Sequence, residues 1–134
     1  MSDTDRDHLL DYSIPQLLRW RVAKSGDKTA LREKDFGRWI SYSWDQYYDF
    51  TRKTGLGLRA LGFAKDEKIA VISDNIPEVL YVAIGAQAVG GISIGLYQTT
   101  LPDEIAQILD ALEVSVVFCN DQEQVDKVDR KSVV

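Results

Sequence analysis

Apolar and polar residues alternate with two different rhythms along this chain. Over residues 14–23, Ile14, Leu17, Leu18 and Val22 fall at helical spacing behind Ser13, a residue suited to an N-cap, which predicts a short helix. Ser25-Gly26-Asp27-Lys28 breaks it. Residues 29–33 and 38–42 then flank Asp35-Phe36-Gly37, a turn-prone stretch, and predict a hairpin. Ser43 followed three residues later by Gln46 is a capping-box signature. From Trp44, the positions Tyr47, Tyr48, Thr51, Leu58 and Leu61 trace one helical face that ends at Gly62.

Residues 68–73 form a short apolar run of the kind found in strands covered on both faces. Asn75 with Glu78 three residues on repeats the capping pattern, and Pro77 suits a first helical turn. The helix it opens is apolar almost all round and stops at Gly90-Gly91. Residues 92–97 read as a second strand. Another helix opens at residues 100–103, with Leu101, Ile105, Ile108, Leu109 and Leu112 on one face. Residues 114–119 read as a third buried strand, and Asn120 or Asp121 caps a last helix through Val128. Strand–helix repeats with buried strands imply parallel pairing. The expected fold class is α/β: a partial parallel sheet with flanking helices, preceded by a helix and a hairpin.

Composition changes this picture little. The 134 residues suffice for one domain, and 45% hydrophobic with 28% charged residues excludes a disordered or fibrous chain. The single cysteine, Cys119, has no internal disulfide partner. The acidic start lacks an apolar core of signal-peptide length, which points to the cytoplasm. A net charge of −5 argues against nucleic acid as the main partner. That charge is uneven: residues 1–67 hold 12 basic and 11 acidic side chains, and residues 68–134 hold 4 and 10. Ten of the 13 aromatic residues also lie in the first half.

Several features could carry chemistry. The charge-free stretch from 79 to 102 has the length of a membrane span, but Gln87, Ser93, Gln98 and the Gly90-Gly91 break favour a buried helix followed by a core strand. Gly55, Gly57 and Ala60 match a dinucleotide fingerprint in letters only. No strand precedes them, so close helix packing is the better account. Asp74, at the end of a parallel strand, could be a functional carboxylate or a solvated loop acid beside the Asn75 cap. Tyr97, Thr99 and Thr100 could line a pocket or serve a turn. His8 lies in a polar arm and Cys119 reads as a small hydrophobe. Trp44, Tyr47 and Tyr48 read as core. No Gly/Ser/Thr-rich loop followed by lysine offers a phosphate cradle. No residue is therefore assigned as catalytic, cofactor-binding or metal-binding.

The order of segments resembles the N-terminal portion of the adenylate-forming enzymes, and within them the bacterial long-chain fatty-acid–CoA ligases. The residues that carry the likeness are Ile40-Ser41-Tyr42-Ser43-Trp44-Asp45, then Leu61-Gly62, then Ser73-Asp74-Asn75-Ile76-Pro77-Glu78. Ala88-Val89-Gly90-Gly91 follows, then Tyr97-Gln98-Thr99 with Glu104, and Val116-Val117-Phe118 with Asp121-Gln122-Glu123-Gln124. Two departures from the family pattern are Asp66-Glu67 in place of Gly-Asp and Val79 in place of Trp. The resemblance implies a ligase in which a fatty-acid carboxylate attacks the α-phosphate of ATP, pyrophosphate leaves, and the CoA thiol displaces AMP. Mg²⁺ and backbone donors would balance the phosphate charge. The family's phosphate loop and C-terminal lysine-bearing domain match nothing here.

The expected organisation is a polar arm over residues 1–12, an incomplete N-terminal segment of an AMP-binding domain over 13–128, and a tail over 129–134. Such a segment would be inactive alone and would bind neither ATP, Mg²⁺ nor CoA. It would also expose an apolar face or sheet edge through which it could self-associate. For the longer enzyme, fatty acid and CoA are the implied partners, with peripheral contact at the inner membrane face. The competing reading is a free-standing α/β binding or signalling module using Asp74 or the edge from Tyr97 to Thr100.

Overall fold

A computed structural model describes residues 8–129, so the parts of the polar arm and tail at 1–7 and 130–134 lie outside the described residues. Helix α1 (Ile14–Ser25) opens where the Gln16 carboxamide oxygen accepts from the Ser13 backbone N–H at 2.8 Å. Strands β1 (Thr29–Asp35) and β2 (Arg38–Ser43) pair antiparallel, with Asp35 opposite Arg38. Their connection is two residues long. Phe36 (φ 43°) and Gly37 (φ 80°) both lie in the left-handed region, as the tightest hairpin turns require. The Ser43/Gln46 capping box forms as expected and starts α2 (Trp44–Ala60).

The sheet follows. Strand β3 (Lys68–Ile72) lies between β4 (Ile92–Leu96) and β5 (Val116–Cys119), all parallel. Ile69 is in register with both Ser93 and Val116. Helix α3 (Pro77–Ala88) joins β3 to β4, α4 (Pro102–Ala111) joins β4 to β5, and α5 (Gln122–Asp129) follows β5. Three helices end alike. Phe63 N–H reaches Leu58 C=O, Gly91 reaches Ala86 and Val114 reaches Leu109, at 2.9–3.0 Å, with Gly62, Gly90 and Glu113 at positive φ. These Schellman closures turn the chain sharply from helix towards the next strand.

Alternation along β3 divides the core. Ile69 and Val71 face α2 and α3, packing on Leu58, Phe63, Val82 and Ala86. Ala70 and Ile72 face α4 and α5, packing on Ile105, Leu109 and Val128. A third cluster joins α1 and the hairpin to the back of α2 and α3 through Leu18, Tyr47, Tyr81 and Ile84. Helix α3 is thus covered on two sides, which is why its sequence is apolar all round. Ile69, Ile72 and Ile105 are fully buried, each contributing about 2–3 kcal/mol of transfer free energy.

Three expectations change, and one open choice is decided. Asn75 does not cap α3; Ile76, extended before Pro77, takes the N-cap place without a side-chain bond. Leu61 sits past the last turn of α2 and is 80% exposed, and Leu101 and Leu112, flanking α4, are also exposed. The expected face therefore narrows to Ile105 and Leu109. Strand β5 is half-buried rather than fully buried, because among the described residues it pairs with β3 alone and sits at the sheet margin. Of the two possible caps for α5, Asp121 acts, accepting from Gln124 N–H at 3.0 Å.

Candidate functional site

Neighbouring strands β3 and β4 send their following helices to opposite faces of the sheet, since α3 packs over Val71 and α4 over Ile72. Where adjacent parallel strands diverge in this way, their carboxyl ends leave a crevice, the place where open α/β sheets receive ligands. A cleft of about 610 Å³ lies there, with Val71, Val79 and Leu96 as apolar lining and Ser73, Asp74, Asn75, Tyr97, Gln98 and Thr99 as polar lining. Three of the residues singled out from sequence, Asp74, Tyr97 and Thr99, thus come together. Thr100 does not line the cleft; its N–H closes a turn on Tyr97 C=O at 3.0 Å.

Each wall is held by backbone chemistry. Asp74 C=O accepts from Ile76 N–H at 2.9 Å and from the Ser73 hydroxyl at 3.0 Å, so the loop after β3 is a compact turn. The loop after β4 is tied across the sheet. Gln98 Nε2 donates to Asn120 Oδ1 at 3.2 Å, and Lys127 Nζ donates to Gln98 C=O at 2.7 Å. Lys127 also meets Glu123 at 3.1 Å. Sequence reasoning named Gln98 only within a motif and Asn120 only as a possible cap; it missed Lys127 and the tie among the three, which spans up to 29 residues and carries no local pattern. Tyr97 is 84% exposed at the rim.

Other candidates resolve into structure. A Cβ at Gly55 would sit 3.0 Å from Gly85 C=O, so this glycine serves the close crossing of α2 and α3. Trp44, Tyr47, Phe50 and Tyr81 form a run of ring contacts at 5.2–5.9 Å, with Arg21 stacked over Trp44 at 5.3 Å. They are core. Burial, then Asp121 and Asp129, push the Cys119 thiol up, which opposes thiolate chemistry. His8 is exposed. Among the described residues no group of three His, Cys, Asp or Glu could hold a metal ion, and no helix is long and apolar enough to cross a membrane. A second, apolar groove of about 420 Å³ runs beside the free edge of β5, lined by Leu58, Leu61, Val82, Val116 and Phe118.

The AMP-binding enzyme family matches this chain over residues 18–134. The chain belongs to that family. A long-chain-fatty-acid–CoA ligase, ACSBG1 of Rattus norvegicus, is 30% identical over 119 residues, covering 89% of this chain and 16% of that protein. The ACSBG2 ligase of the same species is 27% identical over 121 residues, covering 90% and 18%. The chain thus spans about one-sixth of the length of these relatives. Among solved structures, a benzoate CoA ligase from Burkholderia xenovorans LB400 superposes with a TM-score of 0.80 at 18% identity, over 91% of this chain and 24% of the other. A fatty acyl CoA synthetase of Mycobacterium tuberculosis gives 0.75 at 21%, over 87% and 23%. These likenesses establish the shared fold of this AMP-binding segment.

Proposed function

We propose that this chain is the N-terminal part of an ATP-dependent fatty-acid–CoA ligase. That enzyme activates a carboxylate as acyl-adenylate and then forms the CoA thioester. The observation that carries the reading is the family match over residues 18–134, supported by curated relatives that are themselves long-chain-fatty-acid–CoA ligases. In this reading the chain supplies scaffold rather than reacting groups. The crevice between β3 and β4 contributes one wall of the substrate region, with Tyr97 and Thr99 at its rim. ATP and Mg²⁺ would be held by segments outside this chain. The sequence itself offers no Gly/Ser/Thr-rich loop followed by lysine to cradle a phosphate. The protein works in the cytoplasm, with peripheral contact at the inner membrane face.

The test is acyl-CoA formation from palmitate, ATP, Mg²⁺ and CoA, measured for the 134-residue chain and for the longest reading frame containing it. Thioester is expected from the longer protein only. Acyl-adenylate from the short chain would overturn the claim that it is inactive alone, and no thioester from the longer protein would overturn the ligase assignment.

A further inference from the structure

The β1–β2 hairpin carries an apolar investment that the fold does not use. Phe36 occupies a left-handed turn position (φ 43°) that favours Asn, Asp or Gly, and it is 100% exposed. Strain at that backbone position is not offset by packing, because the ring has none. Trp39, 68% exposed, lies directly opposite Lys34. Register places Arg32 opposite Ser41 on the same outward face, while Leu31, Glu33, Ile40 and Tyr42 occupy the other. Part of that inner face is engaged with the body: Leu31 joins the aromatic core and the Tyr42 ring meets Phe50 of α2 edge-on at 6.3 Å, while Ile40 stays 37% exposed.

The face division sorts charge as well. Of the hairpin's two acids, Glu33 is held on the inner side by Tyr42 and Asp35 sits opposite Arg38 at the tip. The outward face keeps Arg32 and Lys34 beside Trp39, all exposed. No ion pair among the described residues engages Arg32, Lys34 or Arg38. These cations belong to the half of the chain that carries +1, while the sheet half carries −6. An anionic plane would therefore orient the molecule with its hairpin inward and its acidic half outward.

We propose that the hairpin is a membrane-docking surface, in which Phe36 at its tip and Trp39 on its outward face enter the headgroup–acyl boundary and Arg32 and Lys34 beside Trp39 meet anionic lipid phosphates. Exposed aromatics flanked by cations are the arrangement that interfacial binding uses, with two aromatic anchors supplying depth and the charges supplying lipid preference. The surface deepens the peripheral-contact part of the ligase reading and rests on that part for its setting. It makes no use of ATP or of any reacting group, so vesicle binding and thioester formation succeed or fail separately.

The 134-residue chain is sedimented with vesicles of phosphatidylcholine containing about one-quarter phosphatidylglycerol, and with pure phosphatidylcholine. Binding to the anionic vesicles that falls with salt is expected, together with quenching of Trp fluorescence by brominated acyl chains that disappears in Trp39→Phe. The pair Arg32→Gln and Lys34→Gln should weaken binding to anionic vesicles about 30-fold while leaving neutral vesicles unchanged. The pair Phe36→Ser and Trp39→Ser should weaken both by roughly tenfold or more. Far-ultraviolet circular dichroism confirms that these exposed variants fold. No vesicle binding by the parent chain, or equal binding by both pairs, would overturn the proposal. So would a concentration-dependent dimer abolished by Phe36→Ser, since the tip would then be a protein–protein contact.

Discussion

The crossing of α2 and α3 yields opposite outcomes for one substitution at two glycines. A Cβ at Gly85 would lie 3.0 Å from Gly55 N, 3.0 Å from Thr51 O and 3.2 Å from Thr54 Cβ. Two of these are backbone atoms of the facing helix and cannot rotate away. Overpacking of this kind costs about 1–3 kcal/mol, here towards the upper end because the obstacle is main chain. Helix propensity works the other way, returning about 1 kcal/mol for Gly→Ala inside a helix. Gly85→Ala should therefore lose about 1–2 kcal/mol net. Gly57 lies in α2 with nothing within 4 Å of a Cβ, so Gly57→Ala keeps only the propensity gain of about 0.5–1 kcal/mol. At about 4 °C per kcal/mol for a domain of this size, the two variants should melt on opposite sides of the parent. Thermal and urea unfolding followed by far-ultraviolet circular dichroism measures this directly. Gly85→Ala found as stable as Gly57→Ala would refute the close-crossing account of the Gly55–Gly85 contact.

Two further outcomes follow from the tyrosines behind that crossing. The Tyr81 hydroxyl is buried with no hydrogen-bond partner among the described residues; Tyr81→Phe should thus raise stability by about 1 kcal/mol in urea unfolding, and a loss of that size would show that the hydroxyl is satisfied. Tyr42, through its bond to Glu33 first and burial second, and Tyr81, through burial first and then Glu78, are each pushed up to about 12 from an ordinary 10. The folded state favours the neutral phenols, so their contribution is complete below pH 10 and is lost as pH climbs towards 12. Absorbance titration should find Glu33→Gln returning Tyr42 towards 10 while Tyr81 stays high; Tyr42 left unmoved would contradict the role given to Glu33.

Much of the fold was legible because its signals are local. The Ser43/Gln46 box, the Gly62 and Gly90 stops and the continuous apolar run of β3 each report on a few neighbouring residues, and each appears where the local sequence puts it. Asn75 failed as a cap because Pro77 fixes the helix start one residue later than the Asn–Glu spacing suggested. Strand β5 looked buried because four apolar residues carry no record of how many neighbours a strand has. The crevice was half legible: Asp74, Tyr97 and Thr99 stand at strand ends, which sequence reveals. The tie from Lys127 to Gln98 spans 29 residues and depends on the sheet order, which sequence leaves open. Phe36 was visible only as part of a turn, since neither exposure nor facing is written in a tripeptide.

The central place of β3 has a consequence for how the chain is made. It is the first strand of the sheet to be synthesised, yet Ser115, whose N–H bonds Lys68 C=O at 3.0 Å, emerges 47 residues later. Helix α1, the hairpin and α2 are all complete before β3 begins. During translation, the nascent polypeptide must therefore carry Ala70 and Ile72 uncovered until α4 and β5 arrive. That interval, set by sequence separation rather than by stability, is when a chaperone would find the most to hold.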